Sequence, residues 1–182
     1  MTMNTFWNLP GKIRITIVSL DPLLRRRARS ASECLTPYER ELFLNMTRYD
    51  LAHSLAVSSK LRDDPILYKA ALLHDAGKLR SELNLFTRWL HTWLEIFMPS
   101  VLKRQEERLK ELAEGGDALQ RARSLPRGWK RGLYIQFHHG EIGAEILKEA
   151  GSEDEIIELV QGHQGEPRDQ RSRRLAEVDD SF

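Results

Sequence analysis

Residues 12–18 alternate strictly, with Ile13, Ile15 and Ile17 on one side and Lys12, Arg14 and Thr16 on the other. A two-residue period is that of a strand, so one short strand or extended arm is expected here and nowhere else. The rest of the chain carries a helical period. Leu42, Met46, Tyr49, His53 and Ala56 recur at spacings of three and four, one stripe on a helix opened by the capping box Thr36-Pro37-Tyr38-Glu39. His53 lies in that stripe and so faces inward. Asp64-Pro65 reads as an N-cap and first helical residue, and 66–73 is apolar enough to be buried nearly all round. Gly77 is expected to close that helix as its C′ residue, which puts His74 and Asp75 in the last turn.

Beyond it, 83–110 is a long helical stretch with Phe86, Trp89, Leu90, Trp93, Leu94 and Phe97 as apolar positions, and Pro99 kinks or divides it. Gly115-Gly116 and Pro126-Arg127-Gly128 mark loops around a short polar helix. A helix over 141–150 ends at Gly151. Ser152-Glu153-Asp154-Glu155 reads as a second capping box, and Ile156, Ile157 and Val160 form the buried face of the helix it opens. His163 follows directly. A last helix over 171–182 turns Leu175 and Val178 inward. The pattern predicts an all-α bundle of about six or seven helices, with 1–34 as an N-terminal arm, 35–182 as the domain, and 83–133 as a helical insertion within it.

Composition narrows the function classes. Lys plus Arg is 28 and Asp plus Glu is 27 among 182 residues, a net charge of +1, which excludes a protein built around a strongly charged surface. The run Arg25-Arg26-Arg27-Ala28-Arg29 is therefore read as a solvated basic segment, and no nucleic-acid partner is expected. The single cysteine, Cys34, excludes a disulfide framework and a thiolate zinc site. No apolar run reaches the length of about 18 residues that a membrane span needs, and the N-terminal residues lack a signal-peptide pattern. A cytoplasmic protein is the expectation.

Four of the six histidines occupy unusual places: His53 in an apolar stripe, His74 at the end of a buried helix, His139 at the opening of one, and His163 at the close of another. With Asp75 and a late carboxylate, Asp179 or Asp180, they offer imidazole and carboxylate ligands from separate helices. Without thiolate, that set suits one or two divalent ions among iron, manganese, nickel, cobalt and zinc. Neighbours on a helix point about 100° apart, but at a helix end His74 and Asp75 can reach one ion, and the carboxylate can bridge to a second.

These residues carry a resemblance. His53 in Asp50-Leu-Ala-His53-Ser54, His74-Asp75 in Ala-Leu-Leu-His-Asp-Ala-Gly-Lys, His138-His139-Gly-Glu-Ile-Gly-Ala-Glu-Ile-Leu147, Gly162-His163 and a distant Asp together resemble the HD superfamily of metal-dependent phosphohydrolases, in particular its HDIG-type members. The resemblance covers residue 35 to the C-terminus and implies an HD-domain fold that hydrolyses phosphate esters, often of nucleotides. Carried over by position, His53, His74, Asp75 and Asp179 hold a first metal; Asp179 is preferred to Asp180 because Val178-Asp179 matches the family's small-residue-plus-Asp pair. His139 and His163 complete a second site around Asp75, although Gln164 stands where two-metal members carry another histidine. The chemistry implied is metal-assisted hydrolysis of a small phosphorylated substrate, the ion lowering the pKa of its water from about 15.7 towards ~7.

Several residues carry two readings. Lys78 either offers a point charge to a phosphate oxygen or satisfies the carbonyls of a helix end. His138 is the lesser partner of His139 and is read as exposed, and His91 as a surface residue. Trp89, Trp93 and Phe97 are read as core or dimer packing, with a lid over a substrate pocket or an interfacial helix as the alternatives, so the reading allows a homodimer without fixing the oligomeric state. Arg171, Arg173 and Arg174 either help bind an anion or form the outer face of the last helix. A non-catalytic metal-binding or ligand-sensing module is the competing reading of the whole.

Overall fold

The computed structural model describes residues 9–78 and 85–182, with side chains for all of these but 85–88. Phe86 and residues 1–8 therefore lie outside the described side chains, as does the start of the 83–110 stretch. The described residues form eleven α-helices and no strand: α1 (Leu9–Val18), α2 (Leu24–Ala31), α3 (Pro37–Leu44), α4 (Arg48–Ser59), α5 (Pro65–Leu73), α6 (Leu85–Phe97), α7 (Pro99–Leu112), α8 (Ala118–Ser124), α9 (Trp129–Glu149), α10 (Asp154–Gly162) and α11 (Gln170–Asp179). The all-α expectation holds; the helix number is larger than expected because α1 and α2 are helices within the stretch read as an arm, and two of the read segments are divided. None of the described helices is long and apolar enough to cross a membrane.

The expected strand at 12–18 is helical. Ile15 is buried in α1, whereas Ile13 and Ile17 are 47% and 65% exposed, so the three isoleucines do not share a face. The reason is tertiary. A strand must pair its backbone with a neighbour, and no other described segment is a strand, whereas a helix pairs its own N–H and C=O groups. α1 then packs Ile15 into the main core beside α4.

The 36–56 stripe is likewise divided. Thr36 caps α3 with the expected box, its side chain accepting from Glu39 N while Glu39 accepts from Thr36 N at 2.9 Å. The chain breaks at 45–47, and a second cap starts α4, where Thr47 Oγ1 accepts from Asp50 N at 3.2 Å. Pro99 divides α6 from α7, as expected, and α8 is the short polar helix. α9 begins at Trp129, twelve residues before the expected start at 141, and runs through a kink at His138 (φ −117°, ψ 16°).

α9 ends in a Schellman motif. Gly151 has φ +70°, Gly151 N donates to Lys148 O, and Ser152 N to Leu147 O. Committed to that motif, Ser152 does not form the expected capping box, and α10 starts one residue later behind Glu153, without a side-chain cap.

One apolar cluster joins α1–α5, α10 and α11 around Phe43, Leu51, Leu67, Leu72, Leu73 and Ile156. A second lies under α7, α8 and α9, around Leu102, Leu109, Ile135 and Ile142. Glu145 of α9 fastens α8 against α9, its carboxylate oxygens accepting from Ala118 N and Leu119 N, each at 2.9 Å, at the start of α8. Trp93 and Phe97 stand 50% and 63% exposed on α6, so neither belongs to the core.

Asp64 caps α5 as expected, accepting from Ile66 N at 3.0 Å and Leu67 N at 3.2 Å, while its other oxygen accepts from Arg171 Nε at 2.7 Å. The start of α5 is thereby fastened to α11. Asp64→Ala is expected to lower stability by about 1–2 kcal/mol, the upper range of a lost N-cap, in a denaturant titration with unchanged slope. A loss within error would mean that the cap carries no stability.

Candidate metal centre

Five elements converge on one buried point. α4 supplies His53, the turn after α5 supplies His74 and Asp75, the kinked α9 supplies His139, the last residue after α10 is His163, and α11 ends at Asp179. The ligating atoms of His53, His74 and Asp75 lie within 4.8 Å of one another, as do those of Asp75, His139 and His163. Asp75 belongs to both triads. His53 Nε2 is 2.7 Å from Asp179 Oδ1, and His74 Nε2 is 3.3 Å from the same oxygen, so Asp179 flanks the first triad. Asp180 caps the end of α11, and no described hydrogen bond or ion pair joins it to these histidines.

Local backbone aims the rings. His74 Nδ1 donates to Ala71 O at 2.8 Å, His139 Nδ1 to Gln136 O at 2.9 Å, and His163 Nδ1 to Val160 O at 2.6 Å. Each imidazole thus anchors one nitrogen three residues back and turns Nε2 to the centre. That arrangement sets the tautomer a metal ligand needs.

Gly77 decides how closely the triads approach. It is not the C′ residue expected: α5 ends at Leu73, and Gly77 lies in the following turn without a positive φ. Its role is steric. A Cβ there would stand 2.0 Å from His139 O and 2.6 Å from Gly143 N, so the α9 backbone lies directly on this turn. That contact brings His139 Nε2 to 3.3 Å from Asp75 Oδ1.

The charge pattern is that of a site built for a cation. Asp75 is 1% exposed; the Lys78 ammonium lies 2.7 Å from its Oδ1, while among the described residues its Oδ2 and His74 Nε2 have no well-aligned hydrogen bond. His139 Nε2 and His163 Nε2 face each other at 3.1 Å. With both Nδ1 protons committed to carbonyls, two lone pairs meet there. Buried acceptors without donors are costly unless a positive charge joins them. The donor set therefore fits a divalent cation, with nitrogen and oxygen ligands and no sulfur.

Protonation follows the same logic. Burial drives the His139 imidazole down to about 3 and that of His163 to about 4, with Lys78 adding to the first and His74 to the second, so both are neutral near pH 7. Burial pushes His74 down as well, but the carboxylates of Asp75 and Asp179 outweigh it and hold the ring up at about 9. Burial would raise Asp75; Lys78, His74 and His139 hold it well below the usual carboxylate range. In the metal-free protein a proton on His74 occupies the place of a metal's charge.

Lys78 Nζ lies 2.7 Å from Asp75 Oδ1, so it points into the centre rather than capping a helix end. Lys12 enters from α1, its Nζ 3.2 Å from Thr92 Oγ1 of α6; burial lowers its pKa, Glu95 opposes this, and Lys78 adds to the lowering. Nothing in the sequence marked Lys12 or Thr92, because the strand reading separated α1 from the domain. His91 is not a surface residue: its side chain is 13% exposed, its ring meets Phe137 edge-on at 5.5 Å, and burial lowers it to about 4. His138 is buried too, its ring tilted against that of Tyr134 with centroids 4.5 Å apart, and it lies outside both triads. Arg171 and Arg174 face away from the centre, paired with Asp64, Glu155 and Asp63. No protein-family model matches the chain, and no curated protein or solved structure matches it either.

Proposed function

We propose that the chain is a metal-dependent hydrolase of the HD type, which cleaves a phosphomonoester or phosphoanhydride of a nucleotide or a related small molecule. The observation that carries this reading is the shared, buried carboxylate of Asp75 at the junction of two ligand triads. One carboxylate common to two sites is the arrangement that pairs divalent ions for in-line displacement at phosphorus. The likeness of the His53, His74-Asp75, His139, His163 and Asp179 series to the HD pattern points the same way.

His53, His74, Asp75 and Asp179 would hold one ion, and Asp75, His139 and His163 a second. When bound, such ions supply Lewis acidity towards phosphoryl oxygens and acidify a coordinated water. The chain's own part is to orient and to balance charge. The Nδ1 anchors of His74, His139 and His163 fix their rings before any ligand arrives, so little reorganisation accompanies binding. Lys78 and Lys12 bring positive charge to the edge of the centre, where the oxygens of an anionic substrate would be placed. Lys78 beside Asp75 also favours the competing reading, in which an internal ammonium leaves the centre to hold one ion without turnover.

The decisive experiment is a screen of phosphate esters and nucleotides with added manganese, iron, cobalt, nickel or zinc, run beside Asp75→Asn. Turnover by the natural chain and none by the variant is the expected result. Tight cation binding with no turnover on any substrate class would transfer the chain to the sensing reading.

Loading should also release protons. Near pH 7 His74, held up at about 9, carries a proton that a cation must displace, whereas His139 and His163 carry none. Binding of Mn²⁺ is expected to release about one proton and to tighten as pH rises towards 9. Calorimetry in two buffers of different ionisation enthalpy measures this directly. A binding heat independent of the buffer would show His74 to be neutral beforehand.

A further inference from the structure

We infer that Gln164 is a positioning residue, which bridges the kink in α9 and so sets the direction of the His139 ring. The inference deepens the metal-centre reading, and the geometry behind it is independent of any ion.

A regular helix pairs the N–H of residue i with the C=O of residue i−4. At the kink the two such groups are Gly140 N–H and Gln136 C=O. Gly140 N donates to Gln164 Oε1 at 3.0 Å, and Gln164 Nε2 donates to Gln136 O at 3.3 Å. One side-chain amide from beyond α10 therefore reaches both members of that pair, each with the complementary half of the amide. Side-chain insertion into a helical ladder is an established cause of kinking. The non-helical dihedrals fall at His138, next to the ring that matters.

The same carbonyl has a second use. Gln136 O is also the acceptor for His139 Nδ1 at 2.9 Å. Gln164 thus helps hold in place the carbonyl that fixes the His139 tautomer and aims Nε2 at Asp75, 3.3 Å away, and at His163, 3.1 Å away. The crossing is tight at 140: a Cβ on Gly140 would stand 3.1 Å from Gln161 O and Val160 O and 3.2 Å from Gln164 Oε1. Position 164 also follows His163 directly, so the turn that ends α10 delivers a ligand and its neighbour's support together. A histidine at 164 also carries one acceptor and one donor, but its two ring nitrogens point away from each other and do not present the side-by-side O and N of an amide.

Gln164→Met keeps the length of the side chain and removes both hydrogen bonds. In the metal-free protein, ¹⁵N–¹H correlation spectra of the histidine rings should show His139 locked with its proton on Nδ1. In Gln164→Met that lock should be lost, with His74 and His163 unchanged. In Mn²⁺ titrations the variant should keep the site at His53, His74 and Asp75 and weaken the one at Asp75, His139 and His163 by about 10–100-fold, the range for lost outer partners of a ligand. Adding His139→Ala to the variant should weaken that site little further than His139→Ala alone. Should Gln164→Met fail to fold, Gln164→Asn keeps the amide one carbon short and should give the same selective loss.

An unchanged His139 tautomer in either folded variant overturns the inference, as does equal weakening of both sites. A natural chain that binds no Mn²⁺ sinks the metal-centre reading instead, and the ring spectra then still decide the role of Gln164.

Discussion

Replacing Asp75 with asparagine is expected to abolish cation binding at both triads and, with it, hydrolysis. The substitution preserves shape, removes the charge and turns one acceptor oxygen into a donor, so it tests what the carboxylate does without a cavity. Asp75 is the one residue common to both ligand sets, and at 1% exposure it has no water to share the load. Outer partners of ligands alone are worth about 10–100-fold in metal affinity, so a shared ligand should cost well over ~100-fold at each site. The variant also tests the electrostatics. His74 is held at about 9 by Asp75 and Asp179 together. With one carboxylate gone, its titration in the metal-free protein should move down towards the ordinary value near 6.5. An NMR titration of the ring reads this without any ion. Two cations bound with native affinity by Asp75→Asn would remove the proposed centre altogether.

Gly77→Ala is expected to be the most damaging single methyl addition in the chain. The new Cβ would meet His139 O at 2.0 Å, Gly143 N at 2.6 Å and His139 C at 2.9 Å, all of them backbone atoms. Backbone in mid-helix cannot swing aside as a side chain can, so α9 must move bodily off the turn. Overpacking a core costs typically 1–3 kcal/mol and occasionally more, and contact this close belongs at the upper end, at about 3 kcal/mol or beyond. For a chain of this size that is a fall in melting temperature of about 10 °C. The shift would also carry His139 away from Asp75, so the second triad should lose its cation before the first. A melting temperature unchanged within a degree or two would show that α9 does not rest on this turn.

Both predictions rest on features that differ in how far they can be read from the chain. The caps at Thr36 and Asp64 and the break at Pro99 were legible because each depends on bonds within one turn of backbone. The candidate ligands have another source: the odd placement of four histidines draws attention to them, but it is the resemblance to the HD pattern that groups His53, His74, Asp75, His139, His163 and Asp179 into one set. The second cap at Thr47 was hidden by a stripe that runs unbroken across two helices. α1 departs from the strand reading because β-branched alternation is a weak signal, and among the described residues there is no strand for it to pair with. Ser152 was misread because its backbone N–H was already taken by the end of the preceding helix.

What the amino-acid order determined alone is the helical character of the domain, most of its punctuation, and the set of nitrogen and oxygen donors available. Those follow from short-range physics, in which a residue and its neighbours within four positions fix the outcome. Distances between donors, the contact of Gly77 with α9, the amide bridge of Gln164 and the arrival of Lys12 belong to the tertiary structure. Each joins segments tens of residues apart, and such meetings depend on how whole helices bury their faces rather than on any local pattern.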